Sequence, residues 1–177
     1  MGKIPVLALL PPVIFAALAG LFLSGMFRED PDALPSTLVG QAAPAVEITP
    51  VGGLVPFSRE LLNEPGPKIV NFWASWCGPC RLEHPQLMTL QAEGIPIYGV
   101  NYKDDVDKAI GFLEELGDPY SGVVGDARGR TALEWGVYGV PETFVVGSDG
   151  QVILRFAGPI TAEILDIRIR PALAQAK

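Results

Sequence analysis

The stretch that most limits what this chain can fold into runs from Ile69 to Cys80. Ile69-Val70-Asn71-Phe72-Trp73-Ala74 is a short, almost wholly apolar run, which reads as a strand buried in a sheet. Ser75-Trp76 leads from it into Cys77-Gly78-Pro79-Cys80, and Pro79 suits the first turn of the helix-like stretch that follows. A strand therefore hands over to a helix N-terminus at the only two cysteines in the chain. N–H groups and the macrodipole at a helix start stabilise an anion, so Cys77 should ionise more easily than a free thiol. The spacing lets Cys80 reach Cys77 once the helix begins, which permits a reversible disulfide. Cysteines spaced in this way after a strand, in a βαβ context, read as a redox pair.

Two other readings compete. A zinc site needs about four ligands, and two cysteines with a single histidine supply too few. A purely structural disulfide stabilises mainly by closing a long loop, and this one closes almost nothing. The redox reading is preferred to both, and no metal or cofactor is expected beyond a Cys77–Cys80 disulfide.

A chain of 177 residues, 49% of them hydrophobic, has room for one membrane segment and one globular domain of about 150 residues. The net charge of −7 argues against nucleic acid as a partner, since no basic stripe exists to neutralise phosphates. No charged residue occurs from Ile4 to Phe27, and about 20 apolar residues span a hydrocarbon core. Lys3 precedes this segment and Arg28-Glu29-Asp30 follows it, so the N-terminus is expected to stay cytoplasmic and the rest to be exported. Pro5, Pro11 and Pro12 weaken the start of such a helix but are tolerated in membrane segments. The alternative is a cleaved signal peptide, because Ala17-Leu18-Ala19 resembles a cleavage site; against it, the apolar run continues through Leu21-Phe22-Leu23. Either way the cysteines reach a compartment where disulfides persist. The expected organisation is a membrane anchor or uncleaved signal at 1–27, a linker at 28–40 and a globular domain at 41–177.

Within the domain, Val46-Glu47-Ile48 and Leu54-Val55-Pro56-Phe57 flank Pro50 and Gly52-Gly53 and predict two short strands with a turn. Ser58 is the expected cap of a short helix through Leu62. The redox helix should kink at Pro85. Ile95 to Tyr102 predicts a strand, and Asp104 is the expected cap of a helix bearing Val106, Ala109, Ile110 and Leu113 at helical spacing and closed by Leu116-Gly117. Val123-Val124 predicts a short strand, followed by a helical piece from Arg130 to Trp135. A hairpin should pair Thr143–Val146 with Val152–Phe156 across Ser148-Asp149-Gly150. Thr161 should cap a last helix interrupted near Pro171. Alternating strands and helices that end in a hairpin indicate α/β layering.

The run from Val70 to Cys80, with Pro85 behind it and Val140-Pro141-Glu142-Thr143 downstream, resembles the thioredoxin fold. The expected fold class is therefore α/β and thioredoxin-like, a central mixed sheet flanked by helices, with an N-terminal strand extension and one N-terminal transmembrane helix. The resemblance implies that Pro141 is cis and lies against the disulfide, and that Val140 offers its backbone to an incoming substrate strand. Arg81-Leu82-Glu83-His84-Pro85, Gly99-Val100-Asn101-Tyr102-Lys103-Asp104-Asp105 and the run from Gly136 to Phe144 are similar to a narrower group. These are the membrane-anchored thiol:disulfide interchange proteins of cytochrome c maturation, the DsbE/CcmG family, and the similarity covers most of the domain.

That family implies a reductant held in the inner membrane by a single pass, with its domain in the periplasm. Its expected partners are apocytochrome c, whose haem-attachment cysteines it reduces, and other cytochrome c maturation proteins with which it resolves mixed disulfides. A membrane electron carrier of the DsbD/CcdA kind would re-reduce it. Asn71 stands where thioredoxin has a buried aspartate. In the family, acidic residues matching Glu83 and Glu142 compensate, while a third acidic position falls at Pro159 and is absent here.

Cys77 is the expected nucleophile and the more exposed thiol, with Cys80 attacking it to release the reduced substrate. Glu83 or Glu142 would accept the Cys80 proton or raise the thiol pKa values by like-charge repulsion. The alternative for each glutamate is a solvated surface charge. Trp76, expected to be half exposed, would shape a substrate-binding surface with Gly78, Pro79, Val140 and Pro141. Trp73 is expected in the core, His84 on a helix surface, and Lys103-Asp104-Asp105 in a merely polar turn, with Tyr102 and Tyr138 bordering a groove. The rival functions are a general periplasmic thioredoxin-like reductase or oxidant, and a non-enzymatic adaptor holding an apoprotein or haem.

Overall fold

The computed structural model describes residues 6–26 and 37–176. The chain divides into two units, residues 1–35 and 36–177. In the first, helix α1 covers Val6–Met26 with Pro11 and Pro12 inside it. No helix among the described residues is long and apolar enough to cross a membrane. Most of the expected linker, residues 28–36, lies outside the described residues.

The second unit is built on β1 (Lys68–Trp73), buried at all six positions. A parallel neighbour, β2 (Ile97–Tyr102), and an antiparallel one, β4 (Glu142–Val146), flank it, so that Ile69 faces Ile97 on one side and Val145 on the other. Strand β3 (Gly122–Asp126) pairs in parallel with β2, and β5 (Val152–Ala157) pairs antiparallel with β4. The order β3-β2-β1-β4-β5 is the mixed sheet that the sequence resemblance implies.

Alternation along β1 assigns its side chains to two cores. Val70 and Phe72 pack with Tyr98, Val100, Trp135 and Phe144 on one face. Ile69 joins Leu87, Leu90 and the C-terminal helices on the other, and Trp73 packs there with Cys77, Cys80 and Phe112. Helices α3 (Gly78–Ala92) and α4 (Val106–Leu116) cover this second face. Asn71 falls in the same alternation as Ile69 and Trp73, which carries the one polar side chain inside β1's apolar run under the redox helix.

Several expectations are corrected. Residues 43–57 form no strand, so the strand extension is absent; Val39 and Ala42 make only isolated bridges to Val152 and Gln151. Pro44, Pro50 and Pro56 each remove a ladder donor, and the segment instead lends the Thr49 and Val55 carbonyls to Gly125 N and Val123 N, both at 2.8 Å, along the β3 edge. Ser58 precedes helix α2 (Arg59–Leu62) without a side-chain cap bond. The cap of α4 is Asp105, not Asp104: its carboxylate accepts from Asp107 N and Lys108 N, and Gly117 at φ 94° ends the helix. Helix α5 covers Arg130–Glu134. Thr161 caps α6 (Ala162–Ile164), which passes through a π-helical stretch, Leu165–Ile169, into α7 (Arg170–Gln175). Pro171 lacks the N–H that a regular ladder would use there, which accounts for the widened turn just before it.

Candidate active site

Cys77 and Cys80 form a disulfide at the start of α3. Cys77 is the N-cap residue, and its sulfur accepts from Cys80 N at 3.1 Å. An N–H aimed at this sulfur favours the thiolate when the bond is reduced. Cys77 and Cys80 are 4% and 2% exposed, so the expected order holds although both sulfurs are largely covered. Trp76, Gly78 and Pro79 are exposed around them, Trp76 more so than expected at 59%, and its indole N–H donates to Lys103 O at 3.1 Å. The Val140–Pro141 bond is cis, and Val140 O lies 3.5 Å from Cys77 Sγ. Trp73 is core, stacked on Tyr120 at 5.4 Å between ring centres.

Glu83 lies one helical turn beyond Cys80 and is 1% exposed, so it is no solvated surface charge. Its Oε1 accepts from Asn71 Nδ2 at 2.9 Å and its Oε2 from Ile160 N at 3.0 Å. Burial pushes the carboxyl up to about 7 against the opposing pull of those two donors. The second Asn71 amide proton goes to Thr143 Oγ1 at 3.1 Å, while Asn71 Oδ1 accepts from Tyr120 OH at 2.9 Å. Burial holds Tyr120 far above the usual phenol range, so it remains a donor. This arrangement fixes the Asn71 amide and gives the Glu83 carboxyl, one helical turn beyond Cys80, a proton affinity matched to neutral pH.

Glu142 is also buried, at 1% exposure, but it is held differently. Oε2 pairs with Arg155 Nε at 2.7 Å, and Oε1 accepts from Tyr138 N at 2.9 Å and Gly139 N at 3.4 Å. Arg155 also donates to Gly136 O at 2.7 Å and lies 4.9 Å over the Tyr138 ring. The pair therefore clamps the loop that presents Val140 and Pro141 to Cys77. Arg155 was invisible as a site residue in the sequence, where it reads as one more position of a hairpin strand.

His84 is buried rather than on a helix surface. Its Nε2 lies 2.9 Å from Gly117 O, and the ring meets Phe112 edge-on at 5.3 Å, tying α3 to the end of α4. The signal for both inward residues was in the spacing: Cys80, Glu83, His84, Leu87 and Leu90 recur on one helical face, and all five are buried. Among the described residues no cluster of three or more metal-ligating side chains is arranged to hold a metal ion.

The Redoxin family model matches residues 38–168. The chain is 47% identical over 176 residues to a thiol:disulfide interchange protein DsbE homolog of Paracoccus denitrificans, covering 99% of this chain and 98% of that one. It is 46% identical over 168 residues to the thiol:disulfide interchange protein HelX of Rhodobacter capsulatus, with 95% and 96% of the two chains covered. Among solved structures, a thioredoxin-family thiol:disulfide interchange protein of Chlorobium tepidum superposes with a TM-score of 0.62 at 28% identity, covering 80% of this chain and 99% of that one. The strand-to-helix cysteine pair facing a cis proline on a mixed α/β sheet is thus a thioredoxin-like arrangement, and the chain belongs to the redoxin family and, within it, to the DsbE/CcmG thiol:disulfide interchange proteins.

Proposed function

We propose that the protein is a thiol:disulfide oxidoreductase that reduces the haem-attachment cysteines of apocytochrome c, or the mixed disulfide they form with another maturation protein. The observation that carries this is the Cys77–Cys80 disulfide at the N-terminus of α3, opposite the cis Val140–Pro141 bond, with the buried Glu83 one helical turn further along α3. In the reduced enzyme Cys77 is the thiolate. It attacks one sulfur of the substrate disulfide, forming a mixed disulfide and releasing the other substrate sulfur as a thiolate that takes up a proton. Cys80 then gives its proton to Glu83, and its thiolate attacks Cys77 Sγ. The second substrate sulfur leaves as a thiolate and takes up a proton, so the two electrons pass from the cysteine pair to the substrate's two thiols, and a Cys77–Cys80 disulfide replaces the substrate's own.

Glu83 suits the proton-accepting step because its carboxyl, at about 7, is neither locked as an anion nor as an acid at neutral pH. Glu142, committed to Arg155 and two backbone donors, serves as the holder of the Pro141 loop. Trp76, Gly78, Pro79, Val140 and Pro141 form the surface that receives the substrate strand. The uncharged stretch from Ile4 to Phe27 supports a single-pass inner-membrane anchor, a linker near residues 28–40 and a periplasmic domain from about residue 41. A DsbD/CcdA-type membrane carrier is the electron donor in this reading.

The test is electron transfer in a defined mixture. The reduced domain should convert an oxidised peptide carrying a Cys-x-x-Cys-His segment to its dithiol, one peptide per domain, and Cys77→Ala should abolish the transfer. Conversion undiminished by Cys77→Ala would overturn the mechanism. Retention of peptide binding with no transfer by the wild type would favour the adaptor.

A further inference from the structure

The turn after β2 directs its polar groups at the loop that carries Cys77. Asp104 Oδ2 accepts from Ser75 N at 2.6 Å and from Asn101 Nδ2 at 2.9 Å. Its Oδ1 accepts from Ser75 Oγ at 2.7 Å and from Asp105 N at 2.9 Å. One carboxylate thus satisfies the backbone and side chain of a residue 29 positions earlier in the chain. Lys103, beside it, has φ +46° and is the only non-glycine residue with positive φ among the described residues. That conformation is disfavoured for a residue with a side chain and persists where the surroundings over-determine it. Here it accompanies the Lys103 carbonyl's bond to the Trp76 indole. Cys77 N bonds to Ala74 O at 3.2 Å, so the 74–77 turn is closed at one end by its own backbone and held from the side by Asp104.

We propose that Asp104 is a positioning residue for disulfide exchange: it fixes the Ser75–Trp76 turn so that Cys77 meets Cys80, and thereby biases the pair toward the disulfide. The inference rests on the reading of Cys77–Cys80 as a redox pair. Two effects act with the same sign. Holding the turn raises the effective concentration of one thiol at the other, which favours ring closure. A carboxylate beside the turn disfavours the thiolate of the reduced form. Both make the protein a stronger reductant, which is the direction the proposed reaction needs.

The experiment is equilibration of the full-length protein with glutathione redox buffers, with Asp105→Ala as the matched control. Asp105 is adjacent and caps α4 without touching the loop, so its loss costs helix stability alone. Asp104→Ala should move the equilibrium toward the dithiol by about fivefold or more, a tenfold change corresponding to about 30 mV. Asp104→Asn, which drops the charge but keeps one acceptor oxygen, should move it less and in the same direction. Asp105→Ala should stay within about twofold of the wild type while melting at a lower temperature, because it loses the cap of α4. Trp76 fluorescence should change in Asp104→Ala and not in Asp105→Ala. Should Asp104→Ala fail to fold, Asp104→Asn and Ser75→Ala carry the test, the latter removing only the 2.7 Å hydroxyl bond. A potential unmoved by the Asp104 variants, or moved equally by Asp105→Ala, would overturn the role of Asp104 while leaving the redox pair intact. A wild-type pair that does not exchange with glutathione at all would overturn both.

Discussion

Replacing Glu83 by glutamine tests the charge state of the buried carboxyl one helical turn beyond Cys80. Burial raises the Glu83 carboxyl from 4.5 to about 7 in the fold. A group of this kind binds its proton more tightly when folded, so its contribution to stability is present below the unfolded value and is lost as pH rises between 4.5 and about 7. At 1.36 kcal/mol per pKa unit, the wild type should lose roughly 3 kcal/mol through this one group over that window. Glutamine has no such titration. It also sets its NH2 against one of the two donors, Asn71 Nδ2 or Ile160 N, which lowers stability by a constant amount at every pH. Urea unfolding of both oxidised proteins at intervals from pH 4.5 to 8 separates the two effects, because the other titrating groups cancel in the difference. Glu83→Gln should gain on the wild type by roughly 3 kcal/mol as pH rises. Parallel curves would refute the raised carboxyl, and with it the acid–base role assigned to Glu83.

Other perturbations have equally definite outcomes. Glu142→Ala strands Arg155 in a nearly buried site and frees two backbone donors, so urea unfolding should show a loss of about 3–5 kcal/mol; a loss below about 1 kcal/mol would mean that the clamp does not hold the Pro141 loop. Burial lowers the His84 pKa below its ordinary 6.5, so the unfolded chain takes up that proton first and wild-type stability falls as pH drops through 6.5. His84→Gln should flatten that fall relative to the wild type in thermal melts between pH 7 and 5. Asn71→Asp places a second carboxyl 2.9 Å from Glu83 in place of a donor, and the pH midpoint for resolution of a Cys77 mixed disulfide should move up by about one unit or more. An unchanged midpoint would separate Glu83 from the Cys80 proton.

The centre of the domain was legible because several local rules agree there. An apolar run, two cysteines and a proline at the helix start all specify a strand-to-helix turn with a redox pair, and β1 and α3 form as read. The segment before it failed because its apolar pairs suggested strands while three prolines withheld the donors a ladder needs. Asp104 and Asp105 are equally good caps in isolation. Ser75, distant in sequence but adjacent across the sheet, decides between them by capturing Asp104. Chemical type favours the surface for His84, and for the solvated alternative at Glu83, whereas their spacing with Cys80, Leu87 and Leu90 favours the interior. Spacing prevailed because Asn71, Ile160 N and Gly117 O wait there with partners, and burial of a polar group becomes tolerable once it is hydrogen-bonded. Arg155 had no local signal, since its meaning depends on the opposing strand and on a loop folded back over it.

The most direct test of the central claim is to trap the substrate. Cys80→Ser, produced in the native host, blocks release of the mixed disulfide at Cys77, so the partner stays covalently attached and can be identified by mass spectrometry. The account predicts apocytochrome c, or another protein of cytochrome c maturation, linked through Cys77 and lost on reduction or in the Cys77→Ala, Cys80→Ser double variant. A broad mixture of exported proteins would contradict the dedicated role, and the absence of any adduct would contradict disulfide exchange itself.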